Sequence, residues 1–413
     1  MNRKFKVAYI HMGADKTGST TLQSFMDSNR KINESEYGIY YAPEVWQARF
    51  ASHFSGSSKN FIHNVHSGVQ NEAEILALDN AYMESLERWL EGIVNPKTLV
   101  LSYEGFHCLT VNSLQAMREY LLKYADEVKV IYYIRAPLSY AISSKSQHIK
   151  MGLAIGDDFP ISPYKALIQK IQKAFSKSEI SIRKFSKNDL YQSDLVMDFI
   201  YSIDQGYDFK EYLANKKTEN ESLSDLACFV GNKVIEKYFC AVHRKNHSPF
   251  ELGHRLLPHL INIEGDKLKL TPAQLNTVLS NSEENISYIK DEFDIDLRES
   301  EDKFIYDVKE LLEVNSNSFQ SKVDNMAEQI LSSITESPQS ASRELNININ
   351  PDTVVFEDIK NGLDIDFLRD EAVKCESFDL NKAYKLMELA YRARPEGPFI
   401  KAKVEEYRAR LGI

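Results

Sequence analysis

The stretch HMGADKTGSTTLQ, His11 to Gln23, decides how this chain is read. It is nearly a nucleotide-binding glycine loop. The Walker pattern, G-x-x-x-x-G-K-S/T, places a lysine directly after its second glycine. Here Gly13 and Gly18 have the right separation, but Ser19 follows Gly18 and the lysine, Lys16, comes two residues before it. Backbone N–H groups of such a turn and of the following helical turn cradle an anion wherever the lysine stands. Gly18 can take positive φ, and Ser19, Thr20 and Thr21 add hydroxyls where the helix begins. Lys16 would reach the bound group from the side, toward the bridging oxygen of a phosphoanhydride or phosphosulfate. The plainer reading is a structural turn with a solvated lysine.

Working outward, Phe5 to His11 reads as a buried first strand and Ser19 to Asn29 as a helix with Leu22, Phe25 and Met26 on one face. Strand, glycine loop and helix together are the context a phosphate site needs. Further strands are expected at Thr98 to Tyr103, Val128 to Ile134 and Glu179 to Arg183. Helical patterns separate them at Glu72 to Leu90, Val111 to Tyr124, Pro137 to Lys150 and Pro163 to Ser176. This alternation predicts an α/β fold, a parallel sheet covered by helices. Neither VLSYE nor VIYYIR has a terminal Asp in the usual Walker-B place, which speaks against Mg²⁺-dependent nucleotide hydrolysis.

Beyond about Ser193 the pattern is mostly helical, clearest at Ser222 to Val242 and Thr271 to Ile289. Asn315 to Asn350 is rich in Ser, Asn, Gln and Glu and holds a linker around Ser337 to Arg343. The tail, Asp366 to Leu411, carries an apolar stripe at Ala383, Leu386, Leu389 and Ala390, then a break at Pro395 to Pro398. It resembles one tetratricopeptide-like helical hairpin, which buries both faces only against the main domain or a protein partner; the plainer reading is a capping hairpin. The expected division is 1–310, a helix and linker over 311–350, and a tail over 351–413.

The 413 residues are 43% hydrophobic and 27% charged, as in an ordinary globular protein. A net charge of −10 excludes wholesale nucleic-acid binding and leaves only a local basic patch for any polyanion. The four cysteines are scattered, so neither a metal cluster nor a disulfide framework is expected. No apolar run reaches the ~18 residues of a transmembrane helix. The basic, then apolar start has Lys6 within it and no cleavage site, so a cytoplasmic protein of a reducing compartment is expected.

Two motifs together resemble the sulfotransferases that use 3′-phosphoadenosine-5′-phosphosulfate (PAPS). The first signature of that family, R/K-x-G-S/T-S/T, is matched by Lys16-Thr17-Gly18-Ser19-Thr20. Its bacterial, carbohydrate-type branch commonly reads H-I-G-x-x-K-T-G-S/T-S/T-x-L-Q, which His11 to Gln23 closely resembles. The second signature is a strand ending in arginine, then a proline, with a serine eight positions after the arginine. VIYYIRAPLSYAISS supplies Arg135, Pro137 and Ser143. A strand-end arginine can grip a phosphate bidentately, and proline suits a first helical turn. Its plainer reading is an arginine in a structural ion pair beside a capped helix. The resemblance implies that Arg135 and Ser143 bind the 3′-phosphate of PAPS or of its product PAP.

Weaker echoes are SIRKFSKNDLYQSDLVMDFI, Ser181 to Ile200, and ENESLSDLACF, Glu219 to Phe229, where Asn220 and Ser222 approach the nucleotide or simply cap a helix. The likeness covers about residues 5 to 300. It implies a three-layer, P-loop-like fold and metal-free transfer of a sulfuryl group to a hydroxyl or amine of a glycan or glycolipid.

Such transfer needs a base for the acceptor proton and positive charge on the departing phosphate. Lys16 and the loop N–H groups suit the second task. For the first, Glu104 follows TLVLSY at the edge where α/β sheets hold ligands, although it can equally pair with a nearby cation. His53 in RFASHFSG is the next candidate, and Glu36 the third. The aromatic loop Tyr37 to Trp46 can stack on sugar rings or pack internally. A non-catalytic nucleotide- or glycan-binding protein is the alternative function. A nucleotide kinase would need the Walker lysine this loop lacks.

Overall fold

A computed structural model describes residues 4–336 apart from 68, 70, 157, 158, 160, 216–221 and 242–248. In the tail it describes 368, 369, 372, 373, 376, 380–393 and 398–412. Five strands, β1 (Phe5–His11), β2 (Ile39–Tyr41), β3 (Thr98–Ser102), β4 (Ala125–Ile134) and β5 (Ile180–Lys184), form one sheet in the order β2-β3-β1-β4-β5. Every pairing is parallel. The helices around it are α1 (Ser19–Ser28), α2 (Ala48–Phe54), α3 (Ile62–Ser67), α4 (Glu72–Gly92), α5 (Val111–Leu121), α6 (Pro137–Lys150), α7 (Tyr164–Gln172) and α8 (Leu195–Ile203). After them come α9 (Asp225–Ala241), α10 (Pro249–Leu260), α11 (Pro272–Phe293) and α12 (Asn317–Glu336).

Strand residues alternate between two cores. Leu99, Leu101, Val130, Tyr132 and Ile134 pack with Leu86 of α4, Leu114 and Met117 of α5 and Ile168 of α7. Their neighbours Val100, Ile131 and Tyr133 face the other way, onto Leu22 and Met26 of α1 and Phe199 of α8. Alternate residues thus face opposite cores, which explains why the runs LVL of β3 and VIYYI of β4 are continuously apolar: both faces are covered there. Helix starts follow the local chemistry. Pro137 opens α6, Thr110 caps α5, and Thr271 with Gln274 forms a capping box on α11.

The α/β expectation is met, with two local differences. Part of the Tyr37–Trp46 stretch, expected to be a loop, is β2, whose three residues pair with Thr98, Leu99 and Val100. A strand that short shows no periodicity of its own. β4 begins at Ala125, earlier than its apolar run suggests, because Ala125 and Glu127 pair with Phe5 and Val7. The pairing partner, not the strand's own pattern, sets that boundary.

Within the stretch Ser181 to Ile200, a half-buried ion pair joins β5 to α8. Arg183 of β5 donates from Nη2 to Asp198 Oδ1 (2.6 Å) and from Nε to Oδ2 (2.7 Å), and Tyr133 Oη donates to Oδ2 (2.6 Å). Burial alone would raise the Asp198 carboxyl, yet bonds from Arg183, Tyr133 and the Tyr191 N–H hold it below its usual value. Its stabilising contribution is therefore full above the ordinary carboxylate pKa and is lost as acid protonates it. Asp198→Ala should destabilise the protein by about 2 kcal/mol in denaturant titration near pH 7. That is less than the loss for a fully buried pair, because the Arg183 side chain keeps 30% exposure and regains water. A loss below about 0.5 kcal/mol would mean that the pair holds nothing in place.

The chain divides into two compact units, Met1–Ser332 and Ser333–Ile413. In the second, α13 (Leu380–Ala393) and α14 (Pro398–Leu411) pack Ala383, Leu386, Met387 and Ala390 against Ile400, Val404 and Tyr407. Over 311–350, where a helix and a linker are expected, the helix is α12, through Glu336. The linker's expected centre around residues 337–343 lies outside the described residues, as does Asn220. Among the described residues, no helix is long and apolar enough to cross a membrane.

Candidate functional site

β1, β3 and β4 are neighbours, and their carboxyl ends release the three segments of interest side by side. The sheet order makes this its switch point: the chain leaves β1, returns as β3 on one side, and then crosses to β4 on the other. Ligands of open α/β sheets bind at such crevices. The segments are the loop after His11, the turn Glu104–Cys108 after β3, and Arg135 after β4.

The loop is braced from below at both ends by one hydroxyl. His11 Nδ1 lies 2.7 Å from Ser102 Oγ, and Gln23 Nε2 donates to the same oxygen (3.1 Å). Gln47 Oε1 accepts from the Ser102 N–H (2.6 Å). Full burial drives His11 down to a pKa of about 3, so it stays neutral. Above this brace the backbone turns sharply: Lys16 (φ 65°) and Gly18 (φ 79°) both adopt the left-handed region. Lysine adopts that region less readily than glycine, at a cost in backbone strain. A Cβ on Gly13 would sit 2.1 Å from Ser19 Oγ, and one on Gly18 2.7 Å from Leu195 Cδ2. The positive φ favours glycine at Gly18, and a side chain at Gly13 would force Ser19 Oγ to move.

What the loop leaves unpaired suits an anion. Thr17 is consumed internally, its Oγ1 donating to the Ala14 carbonyl (2.6 Å). Among the described residues, no hydrogen bond uses the N–H of Asp15, Lys16, Gly18, Ser19 or Thr20. Ser19 Oγ is buried and has no partner. Such groups carry a cost until something accepts from them.

Arg135 joins the second motif to the first. Its Nη1 donates to the Lys16 carbonyl (2.9 Å), its Nε to Ser139 Oγ (3.3 Å), and its guanidinium lies 5.6 Å over the Phe185 ring. Tyr164 Oη pins its backbone by accepting from the Arg135 N–H and donating to its carbonyl, both at 2.9 Å. Ser143 is half-buried on α6, one turn beyond Ser139. One turn further on, Gln147 Oε1 accepts from Lys16 Nζ (3.0 Å). Thr20 is exposed and Thr21 half-buried at the start of α1.

Charge divides across the loop. Burial, then the Lys150 and Arg135 charges, push the Lys16 ammonium below its ordinary range, opposed by Glu104 and Asp15. Burial, then Asp15, push the Glu104 carboxyl up to about 7, opposed by the Ser19 hydroxyl and Lys16. The Ser19 hydroxyl faces that carboxyl but closes no hydrogen bond to it in this arrangement. A carboxyl with this pKa is half ionised near neutrality and sits beside the loop, as a proton acceptor must.

The other candidates lie elsewhere. His53 is on α2, which packs against the Glu104 turn, but its ring meets Phe54 (5.2 Å between centroids) and its buried Nδ1 has no partner. The strongest electrostatic neighbours of Glu104 are Asp15 and Lys16, not His53. Glu36 precedes β2 and so lies at the opposite, amino edge of the sheet. There it lines a cavity of about 140 Å³ with Tyr37, Tyr207 and Tyr212. Glu36 is thereby removed from the loop's chemistry.

Sequence reasoning passed over Asp15, Gln147, Tyr164 and Ser102. Gln147 had a usable signal, since it continues the four-residue spacing of Arg135, Ser139 and Ser143 along one helix face. Tyr164 and Ser102 had none, because their partners are remote in sequence. In comparison with known proteins, no family model matches the chain and no curated protein is significantly similar to it.

Proposed function

We propose that the protein is a sulfotransferase that moves the sulfuryl group of PAPS to a hydroxyl or amine of a carbohydrate acceptor. The observation that carries this reading is the Arg135–Lys16 contact. It joins a glycine loop with free N–H donors to a strand-end arginine, with a carboxyl of pKa about 7 alongside. The P-loop-like character of the fold and the tetratricopeptide-like character of the tail hairpin belong to the same reading, as does a cytoplasmic setting.

PAPS supplies an activated sulfuryl group on a phosphate leaving group; the chain's own residues do the rest. The loop N–H groups and Ser19 Oγ hold the 5′-phosphosulfate, with Thr20 and Thr21 at the start of α1. Arg135 and Ser143 take the 3′-phosphate. Lys16 stands over the bridging oxygen and offsets the charge that grows there as the bond breaks. Glu104 accepts the acceptor's proton at its carboxylate. The proton leaves the attacking oxygen or nitrogen as the bond to sulfur forms, and the electron pair of the broken bond stays on PAP.

The test is direct. PAP should raise the melting temperature without Mg²⁺, and radiolabelled PAPS should label one member of a panel of glycans, glycolipids and phenols. Arg135→Ala should weaken PAP binding by about 1.5–3 kcal/mol, the range of a hydrogen bond to a charged group. The loss should nearly vanish for adenosine 5′-phosphosulfate, which has no 3′-phosphate. Equal losses for both ligands would make Arg135 purely structural. PAP binding without any transfer would favour the non-catalytic alternative.

A further inference from the structure

The amino end of α6 already holds an anion, and it is the protein's own. Ser139, in the first turn of α6, donates its N–H to Glu299 Oε2 (3.0 Å). The same residue's Oγ accepts from Arg135 Nε, so the carboxylate and the guanidinium share one serine. Among the charges acting on Arg135, Glu299 is the strongest. Beside them is a cavity of about 10 Å³ lined by Arg135, Pro137, Tyr140, Tyr164 and Ser282, whose buried Oγ has no partner. That volume suits about one water. A helix amino terminus beside an arginine is what an oxyanion would seek, and on the Ser139 N–H a carboxylate already stands.

We infer that Glu299 is the internal counter-anion of the Arg135 site, holding the place of a ligand phosphate on α6 and setting how tightly one is bound. The inference rests on the reading of Arg135 as a phosphate anchor given above. A phosphate approaching Arg135 meets a like charge, so Glu299 must give up the Ser139 N–H as the ligand takes it. The residue is well placed to do so. It lies in the segment between α11 and the short turn Glu301–Lys303, and its side chain is not fully buried. The exchange makes the site selective for ligands with enough charge to displace a carboxylate. A phosphate dianion meets that requirement and an uncharged ribose hydroxyl does not.

Glu299→Gln tests this, because glutamine still accepts from the Ser139 N–H but carries no charge. With inorganic phosphate as the probe, the variant should bind roughly tenfold more tightly than the unaltered protein by calorimetry, the scale of removing one neighbouring like charge. PAP should gain similarly and adenosine 5′-phosphosulfate very little. Unchanged or weaker phosphate binding by the variant overturns the inference, as does failure of both proteins to bind phosphate. Should the variant not fold, hydrogen exchange on the unaltered protein decides. Saturating phosphate should speed exchange across residues 295–304 as Glu299 is released, and unchanged or slower exchange there overturns the inference. The two readings fail separately. Phosphate binding without PAP binding ends the sulfotransferase reading alone, and equal PAP binding by both proteins ends this one alone.

Discussion

Glu104→Gln is expected to lower sulfuryl transfer by roughly a hundred- to ten-thousandfold while leaving PAP affinity within a few-fold of the unaltered protein. Glutamine keeps the size of the side chain and one acceptor oxygen but cannot take a proton at neutral pH. In the unaltered protein, kcat/KM should rise with pH and level off above about 7, where burial and Asp15 have moved this carboxyl. In the variant that acid limb should be gone. If the limb persists and His53→Ala removes it instead, the base is His53. Stability supplies a second, independent readout. A carboxyl raised from 4.5 to about 7 resists ionisation in the folded state. The unaltered protein therefore loses stability as pH climbs from 4.5 through 7, and the full loss is present above 7. Glu104→Gln should recover up to about 3 kcal/mol at pH 8 and nothing at pH 4. A variant that is inactive, unable to bind PAP and less stable at pH 8 would identify Glu104 as scaffold.

Lys16→Ala is expected to cut turnover by about a hundredfold or more, with a much smaller effect on PAP binding. The ammonium acts on charge that develops only as the bridging bond breaks, whereas the product is held mainly by the loop N–H groups and Arg135. Alanine keeps the Cβ, so the strain at φ 65° is unchanged and the loss reports the side chain itself. A secondary effect distinguishes electrostatics from simple misfolding. Lys16 lowers the Glu104 pKa, so its removal should move the residual activity's acid limb to higher pH. Turnover that survives unchanged would leave the displaced lysine without a chemical role.

Legibility in the sequence followed the range of the interactions. β1, the glycine loop and α1 could be read together because strand alternation, glycine spacing and helical periodicity are all local. Pro137 likewise announced the start of α6. β2 was missed because its order comes from pairing with β3. In the site, the glycine loop and Arg135 were legible as separate motifs, but their meeting through the Lys16 carbonyl was not, since 119 positions separate the partners. Glu104 was found from its place after a strand, while its elevated pKa needed its burial and then the position of Asp15. Glu36 misled because nearness in sequence was taken for nearness in space, and α1 carries the chain away from the loop to the far edge of the sheet.

The brace beneath the loop bears on how such a site can change over evolutionary time. Because His11 and Gln23 both close on Ser102, the contour between them has a fixed length. An inserted or deleted residue would pull one end off the shared hydroxyl and leave a buried polar group stranded. Exchanging side chains in the middle would disturb neither anchor. The architecture is thus intolerant of changes in loop length and more permissive toward changes in what the loop carries at exposed Asp15 and half-buried Lys16 than at buried Ala14. A cation can then migrate along the ring from one substitution to the next while the cradle keeps its shape. A lysine three places from its familiar position is a clasp of constant circumference with its stone set in a different prong.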